Sequence, residues 1–461
     1  MSAIHLNPQA FREYDIRGNV DEDLNAGFAR LLGFAFGKTL REKTELPVSI
    51  GYDCRLSSPE YAQALAEGIS ATGRPVELLG MGPTPQVYFS LYQRELAGGI
   101  QVTGSHNPSN MNGFKICRGK TTLSGSAIQE LFALMKCHQE AQITPIPHLI
   151  KENLILPEYL SYLIENIKPH MGPRKLKVVV DAGNGVGGMV GPELLKQLGV
   201  EVIELYCDPD GNFPNHHPDP TVLENIKDLK AAVIRENADC GIGWDGDADR
   251  IGVVDEKGDI VFGDMLLLIY GQALLRDISK PTIIGDVKCS SRLFDTLAQE
   301  GARAIMWKTG HSLIKQKLYE EDADLAGEMS GHMFFKHRFF GFDDAMYASG
   351  RLIELLSNTQ ETLSGLLRDV PQAISTPEIR VDCPDHIKFQ VPEEAQRKFS
   401  DYKTDLTDGV RVEFEKGWGL VRASNTQPAL VMRFEAETPE LLASYEAIMR
   451  QGVDEILAGL Q

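Results

Sequence analysis

Three acidic residues alternate in Asp245-Gly-Asp-Ala-Asp-Arg250. On a strand they would share one face; in a loop they can converge on one point. Three carboxylates held together repel unless something neutralises them. A hard divalent ion with oxygen ligands does so, and Mg²⁺ suits such a site beside phosphate. The flanks, Cys240-Gly-Ile-Gly-Trp244 and Ile251-Gly-Val-Val254, read as buried strands and argue against a solvated acidic turn. A calcium EF-hand is excluded, because Arg250 stands where that loop needs glycine and the flanks are not helical. A second run, Thr103-Gly-Ser-His-Asn-Pro108, follows an apolar stretch and places Ser105 beside His106, with Lys115 downstream in Asn112-Gly-Phe-Lys115. A serine hydroxyl with a basic group in reach can serve as nucleophile or phosphoryl carrier. Taken alone, the run reads more simply as a turn with a capping serine, and no G-x-S-x-G elbow supports a hydrolase.

Two further loops carry polar groups. Arg422-Ala-Ser-Asn-Thr426 combines Arg, Ser, Asn and Thr in the pattern of a phosphate cradle, and Arg433 could add charge; a hairpin turn explains it as well. Gly327-Glu-Met-Ser-Gly-His332 offers Glu328 and Ser330 to vicinal sugar hydroxyls, and an ordinary loop is the even alternative. Gly183-Asn-Gly-Val-Gly-Gly188 fits the dinucleotide fingerprint, with Glu204 as its acidic residue, but such a turn also serves merely to pack a helix on a sheet. Gly119-Lys-Thr121 lacks the upstream glycine spacing of a phosphate-binding P-loop.

Elements able to hold these loops alternate along the chain. Strands are expected at 48–53, 76–79, 98–102, 176–181, 200–205, 239–244, 281–287 and 302–307, with helices at 59–72 and 191–198. Alternation predicts βαβ units and mostly parallel, buried sheets. Near the C-terminus, strands at 410–415, 419–423 and 430–437 precede an amphipathic helix at 439–460, an α+β pattern. Boundaries near 145–151, 255–259 and 371–377 divide the chain into units at 1–148, 149–256, 257–368 and 369–461. The expected class is α/β: three mixed α/β units and a smaller α+β unit. No internal sequence repeat is visible.

Charge and composition narrow the function. Asp plus Glu number 65 against 46 Lys plus Arg, a net charge of −19, which argues against nucleic acid and anionic lipid as partners. An anionic substrate must then meet a local basic pocket. Seven cysteines without a C-x-x-C pair fit a reducing, cytoplasmic setting. The run 265–275 is too short to span a bilayer, and the opening MSAIHLNPQAF lacks a secretory layout. Nothing calls for an obligate protein partner.

The four loops in this order resemble the α-D-phosphohexomutase superfamily along essentially the full chain, and most closely its bacterial phosphomannomutase/phosphoglucomutase branch. The resemblance implies four domains around a central cleft. It implies phosphosugar substrates, interconversion of hexose 1- and 6-phosphates of mannose and glucose, and a bisphosphate intermediate that reorients in the cleft. Ser105 would be the phosphoserine, and Asp245, Asp247, Asp249 and the Ser105 phosphate would hold one Mg²⁺, with glucose 1,6-bisphosphate as activator. His106, Lys115, Arg250 and His311 would be catalytic. Tyr14, Arg17, Lys288, His311, Glu328, Ser330, His332, Arg422, Ser424, Asn425, Thr426 and Arg433 would bind substrate. A cradle on the last unit implies a hinge near 366–372 that closes the cleft against water. Gly104 replaces the family's usual alanine, a change expected to free the backbone, and Tyr52 and Cys54 depart from the pattern in Gly51-Tyr-Asp-Cys-Arg55. Met329, Asn425 and Gln427 agree with the mannose/glucose branch rather than a phosphoglucosamine mutase. The remaining alternatives are an NAD-linked dehydrogenase and a silent sugar-phosphate-binding protein.

Overall fold

A computed structural model describes residues 4–40, 45–425 and 428–460. Four sheets follow one another along the chain. In the first, the parallel strands Val48–Tyr52, Val76–Met81 and Gly98–Val102 are followed by Met111–Arg118, which turns back antiparallel on Gly98–Val102. The second repeats this arrangement with Lys177–Asp181, Glu201–Leu205 and Cys240–Trp244 parallel and Ile251–Asp255 antiparallel. The third repeats it again with Thr282–Asp286, Arg303–Trp307 and Leu325–Gly327 parallel and Met333–Phe335 antiparallel. The repeat invisible in sequence is therefore a repeat of topology. In each unit the hairpin after the third strand carries one of the loops singled out above: 103–110, 245–250 and 328–332. The fourth sheet is wholly antiparallel, built on Gly417–Ala423 and Ala429–Ala436 and backed by the helix Pro439–Leu460.

Local chemistry explains these elements. Asn25 accepts the Phe28 N–H at 2.9 Å and starts the helix Ala26–Thr39. Gly33 and Gly68 let that helix cross Ser58–Ser70 with backbone against side-chain-free backbone. The strand Gly98–Val102 is buried at every position, as a central strand covered on both faces requires. The helix Gly263–Leu274 absorbs the 265–275 run: it is a buried central helix, and no described helix is long and apolar enough to cross a membrane. One apolar core runs from Leu79 and Val87 in the first unit through Trp244 to Leu352 and Val370, so the first three units pack as a continuous body.

The expected boundaries shift slightly. Ile150–Glu152 pairs with Val76–Met81, so the first sheet extends past 148. The 255–259 stretch is a hairpin turn, and Ile260–Val261 pairs back on Ile251–Asp255, so the second sheet extends past 256. The short strands Ile374–Ser375, Ile379–Asp382 and Lys403–Asp405 were not expected; they are brief and only partly buried.

Candidate active site

Ser105 occupies the first hairpin loop with φ of 49°, a left-handed conformation uncommon for a residue with a side chain. Its hydroxyl donates to Asp245 Oδ2 at 2.8 Å and lies 3.1 Å from His106 Nδ1. Burial, with Arg250 and Arg17 nearby, holds His106 well below its ordinary value, so the ring is neutral. Gly246 is where the metal loop meets this one: a Cβ there would overlap the Ser105 carbonyl oxygen.

Asp245, Asp247 and Asp249 converge from the second hairpin loop, fully buried, with one oxygen of each within 4.8 Å of the others. Asp245 Oδ1 accepts the N–H groups of Asp249 and Arg250, both at 3.1 Å. Asp247 Oδ2 accepts from Thr84 Oγ1 at 2.5 Å and from Lys115 Nζ at 2.7 Å, and Lys115 also donates to Asp249. Burial opposes the charge on Lys115, but Asp247 and Asp249 outweigh it and keep the amine protonated. Burial and repulsion by Asp247 and Asp249 push Asp245 well above the carboxylate range. Burial acts the same way on Asp249, yet Lys115 and His332 hold it well below that range. Asp247 Oδ1 is buried without a partner among the described residues. An open carboxylate oxygen beside two further buried carboxylates offers hard oxygen ligands that fit a divalent cation.

The third loop adjoins the second. Ile251 donates its N–H to the Gly331 carbonyl at 3.0 Å, and Arg250 and His332 form a backbone bridge. Glu328 accepts the Gly310 N–H at 2.6 Å and faces His332 Nδ1 at 2.5 Å, while His332 Nε2 lies 3.2 Å from Asp249. Burial alone would discharge both groups. The His332 partnership instead brings Glu328 down to about 2, and Asp249 and Glu328 bring His332 up to about 9. His332 thus stands between two carboxylates, with Arg250 Nε 3.2 Å from its Nε2. Ser330 stands half-buried on the turn from Glu328 to Gly331. Lys288 is buried, 3.1 Å from Glu378 and 3.8 Å from Asp286. His311 opens the helix His311–Glu320, and neither ring nitrogen has a hydrogen-bond partner among the described residues. Burial, with Lys315 and Lys115 close by, keeps it neutral.

The C-terminal loop faces the same space. Arg422 Nε donates to Asp408 at 2.9 Å, and its buried Nη2 has no partner among the described residues. The Ser424 N–H closes the turn on the Ala429 carbonyl at 2.8 Å. Asn425 donates to the Tyr14 hydroxyl, which itself donates to the Thr309 carbonyl at 2.7 Å. Arg17 pairs with Asp15 at 2.7 Å and approaches Asn107 at 3.4 Å. Thr426 lies outside the described residues. Arg433 is buried against Asp264 at 3.2 Å and the Lys288 carbonyl, contacts that join the third and fourth units.

Several residues escaped sequence reasoning. Asp53 and Arg55 brace the serine loop, Thr84 braces Asp247, and Asp343 sits 3.6 Å from His311 and 2.8 Å from Lys315. Each is an ordinary residue type in an ordinary local pattern, and 51–55 stands out only for Tyr52 and Cys54. Gly104 also needs correction. Its φ lies outside the left-handed range, and its missing Cβ serves instead to admit Arg55, whose Cζ would lie 2.5 Å from such an atom. The glycine turn at 183–188 packs against protein throughout: Gly185 on Gly246, Gly187 on Trp244 and Gly188 on Cys207. Glu204 pairs with Lys196 at 2.5 Å. The glycines of the 183–188 turn are used for close packing against neighbouring protein.

Four family models match in succession. They are phosphoglucomutase/phosphomannomutase alpha/beta/alpha domains I, II and III at residues 8–142, 157–258 and 262–374, and the C-terminal domain at 378–452. The phosphomannomutase/phosphoglucomutase of Pseudomonas syringae pv. tomato is 45% identical over 98% of this chain and 96% of its own. The phosphoglucomutase of Neisseria meningitidis serogroup A is 43% identical over 96% and 95%. A crystal structure of a family protein from Burkholderia thailandensis superposes with a TM-score of 0.90 at 38% identity, covering 98% of both chains.

Proposed function

The chain belongs to the phosphoglucomutase/phosphomannomutase family, and on that premise we propose that it interconverts the 1- and 6-phosphates of mannose and glucose with Ser105 as the phosphoryl carrier. The observation that carries this reading is the Ser105 hydroxyl, 2.8 Å from Asp245 at the edge of a buried aspartate triad. In the forward half-reaction the phosphorus–Oγ bond of phosphorylated Ser105 breaks as a sugar hydroxyl oxygen bonds to phosphorus. His311, neutral and without a hydrogen-bond partner among the described residues, is placed to accept the hydroxyl proton. His106 would take the Oγ proton when Oγ attacks the bisphosphate's other phosphate, hold it in the phosphoenzyme and return it to Oγ in the next transfer, while the proton held by His311 passes to the released sugar oxygen. Lys115 and Arg250 contribute positive charge beside the moving group.

Asp245, Asp247 and Asp249, with the Ser105 phosphate, would hold Mg²⁺, which screens the charge on the phosphoryl group. Glu328 and Ser330 would take sugar hydroxyls, with Lys288, His332, Tyr14 and Arg17 lining the cleft, and Arg422, Ser424, Asn425 and Thr426 would hold the phosphate that stays. Glucose 1,6-bisphosphate would charge Ser105. Because the two phosphates exchange places, the cradle stays fixed while the intermediate turns over. Buried Lys115, Lys288 and Arg422 and half-buried Arg250 give a dianionic substrate local cationic partners inside a chain of net charge −19.

Phosphorus NMR with Mg²⁺ and a trace of glucose 1,6-bisphosphate tests the reading. Glucose and mannose 1-phosphates should each yield the 6-phosphate. Ser105→Ala should lose on the order of a thousandfold or more in turnover. Conversion of glucosamine 1-phosphate alone would reassign the substrate, and wild-type turnover by Ser105→Ala would remove the carrier.

A further inference from the structure

We propose that Arg55 is the positioning residue for the carrier serine: its guanidinium holds the backbone of the 105–111 loop in the strained shape that aims Ser105 Oγ at the aspartate triad. The inference rests on Ser105 carrying the phosphoryl group. The Arg55 side chain has no solvent exposure. Its donors go to the carbonyls of Ser105 at 2.8 Å, Asn107 at 2.6 Å, Pro108 at 2.5 Å and Met111 at 2.9 Å, and to Asp53 at 3.1 Å. A guanidinium has five N–H donors in a rigid fork, and every nitrogen here is engaged. Four carbonyls pointing at one centre is not an arrangement a short loop adopts unaided, because their dipoles repel. A buried cation at that centre is what stabilises it.

Asp53 completes the device. It accepts from the Thr103 hydroxyl at 2.8 Å, the Gly104 N–H at 3.1 Å and the Ser58 hydroxyl at 2.6 Å, so it fixes both Arg55 and the loop's entry. Gly104 leaves the space that the guanidinium fills. The second unit supplies the cover: Phe213 lies over the guanidinium at 5.1 Å, and Gly211 packs on Arg55 Cα closely enough to exclude a side chain. The Ser105 carbonyl, gripped by Arg55, is the same atom that approaches Gly246 of the metal loop. Arg55 therefore sets Ser105 relative to the triad as well as within its own loop, with its nitrogens committed to loop carbonyls and Asp53.

Arg55→Lys keeps the charge and loses the fork. Phosphorylation of Ser105 by glucose 1,6-bisphosphate, followed by intact mass, and steady-state kinetics on glucose 1-phosphate separate the possibilities. Expected are a tenfold or larger fall in kcat, a matching fall in the rate of Ser105 phosphorylation, and a KM within twofold of wild type. Arg55→Ala should recover part of its phosphorylation rate with added guanidinium ion. Phe213→Ala, at a half-buried surface position, serves if both Arg55 variants unfold, and should lower kcat about threefold at unchanged KM. Wild-type phosphorylation rates in a folded Arg55→Lys, or in Phe213→Ala where that variant alone folds, would overturn the proposal. Failure of the wild-type chain to take up phosphate at Ser105 would overturn the carrier reading and this proposal with it.

Discussion

At Asp247 the two carboxylate oxygens are in different states. Oδ2 is saturated by Thr84 and Lys115, while Oδ1 is buried and open. Asp245 spends one oxygen on two backbone N–H groups and the other on Ser105. The triad is thus asymmetric: Asp247 has the oxygen best able to bind an ion without giving up an existing partner. Asp247→Asn removes the charge while keeping the carbonyl oxygen and the bulk. Mg²⁺ affinity is expected to fall roughly 10- to 100-fold, with saturating Mg²⁺ restoring most of the turnover. Activity titrated against Mg²⁺, together with Mn²⁺ binding followed by electron paramagnetic resonance, checks both halves. A variant with unchanged half-saturation would remove Asp247 from the metal set. The alternation of acids was legible because it is a composition signal. Which oxygen is open was not, because that depends on Thr84 and Lys115, far away in sequence.

Among the elements, the hairpin after the third strand is the unit that matters, since it brings one polar loop from each of three sheets to one place. The strands were legible as apolar runs, for example 176–181 and 239–244, because both faces of a parallel sheet are covered. The hairpin partners were harder to read: Met333–Phe335 is three residues long, and its pairing is set by the topology around it. The helix Ala345–Ser357 shows a second kind of hidden constraint. Asp344 caps it by accepting the Tyr347 N–H at 2.8 Å and also accepts the Tyr159 hydroxyl. Burial pushes this carboxyl up to about 7 from its ordinary 3.8. The folded state therefore holds the proton more tightly than the unfolded chain. The stabilisation is complete below the ordinary value and is lost as pH rises toward 7. Asp344→Asn keeps a capping oxygen and never ionises. It should exceed wild-type stability at pH 8, by on the order of 1 kcal/mol, and show no advantage at pH 4. Urea denaturation at the two pH values measures this, and an equal gap at both would contradict it.

Across the whole molecule, the fourth unit is tied to the third by buried contacts. Arg411 donates to the Val287 and Cys289 carbonyls at 2.9 and 2.8 Å and stacks on Trp418, and Arg433 reaches Asp264 and the Lys288 carbonyl. These grips hold the backbone on either side of Lys288, so movement of the last unit about a hinge near 366–372 would carry that lysine with it. The tie to the first unit is much slighter among the described residues: the Arg12–Asp385 pair at 3.9 Å and the contacts of Tyr14. Its hydroxyl joins the Thr309 carbonyl of the third unit to Asn425 of the fourth, and Gly310 lacks the Cβ that would otherwise lie 2.5 Å from Tyr14 Cζ. A single hydroxyl thus joins three units, where it could serve as a latch on the cleft. Tyr14→Phe keeps the ring and its fit against Gly310 but removes both hydrogen bonds, each worth about 0.5–1.5 kcal/mol. If the latch holds the closed form, the variant should show a larger radius of gyration without ligand. Its KM for glucose 1-phosphate should rise about threefold to tenfold, because substrate must then supply the closure. With saturating bisphosphate the two proteins should scatter alike. A variant as compact as wild type without ligand, at unchanged KM, would mean that the remaining contacts set the cleft, and that Tyr14 only lines it.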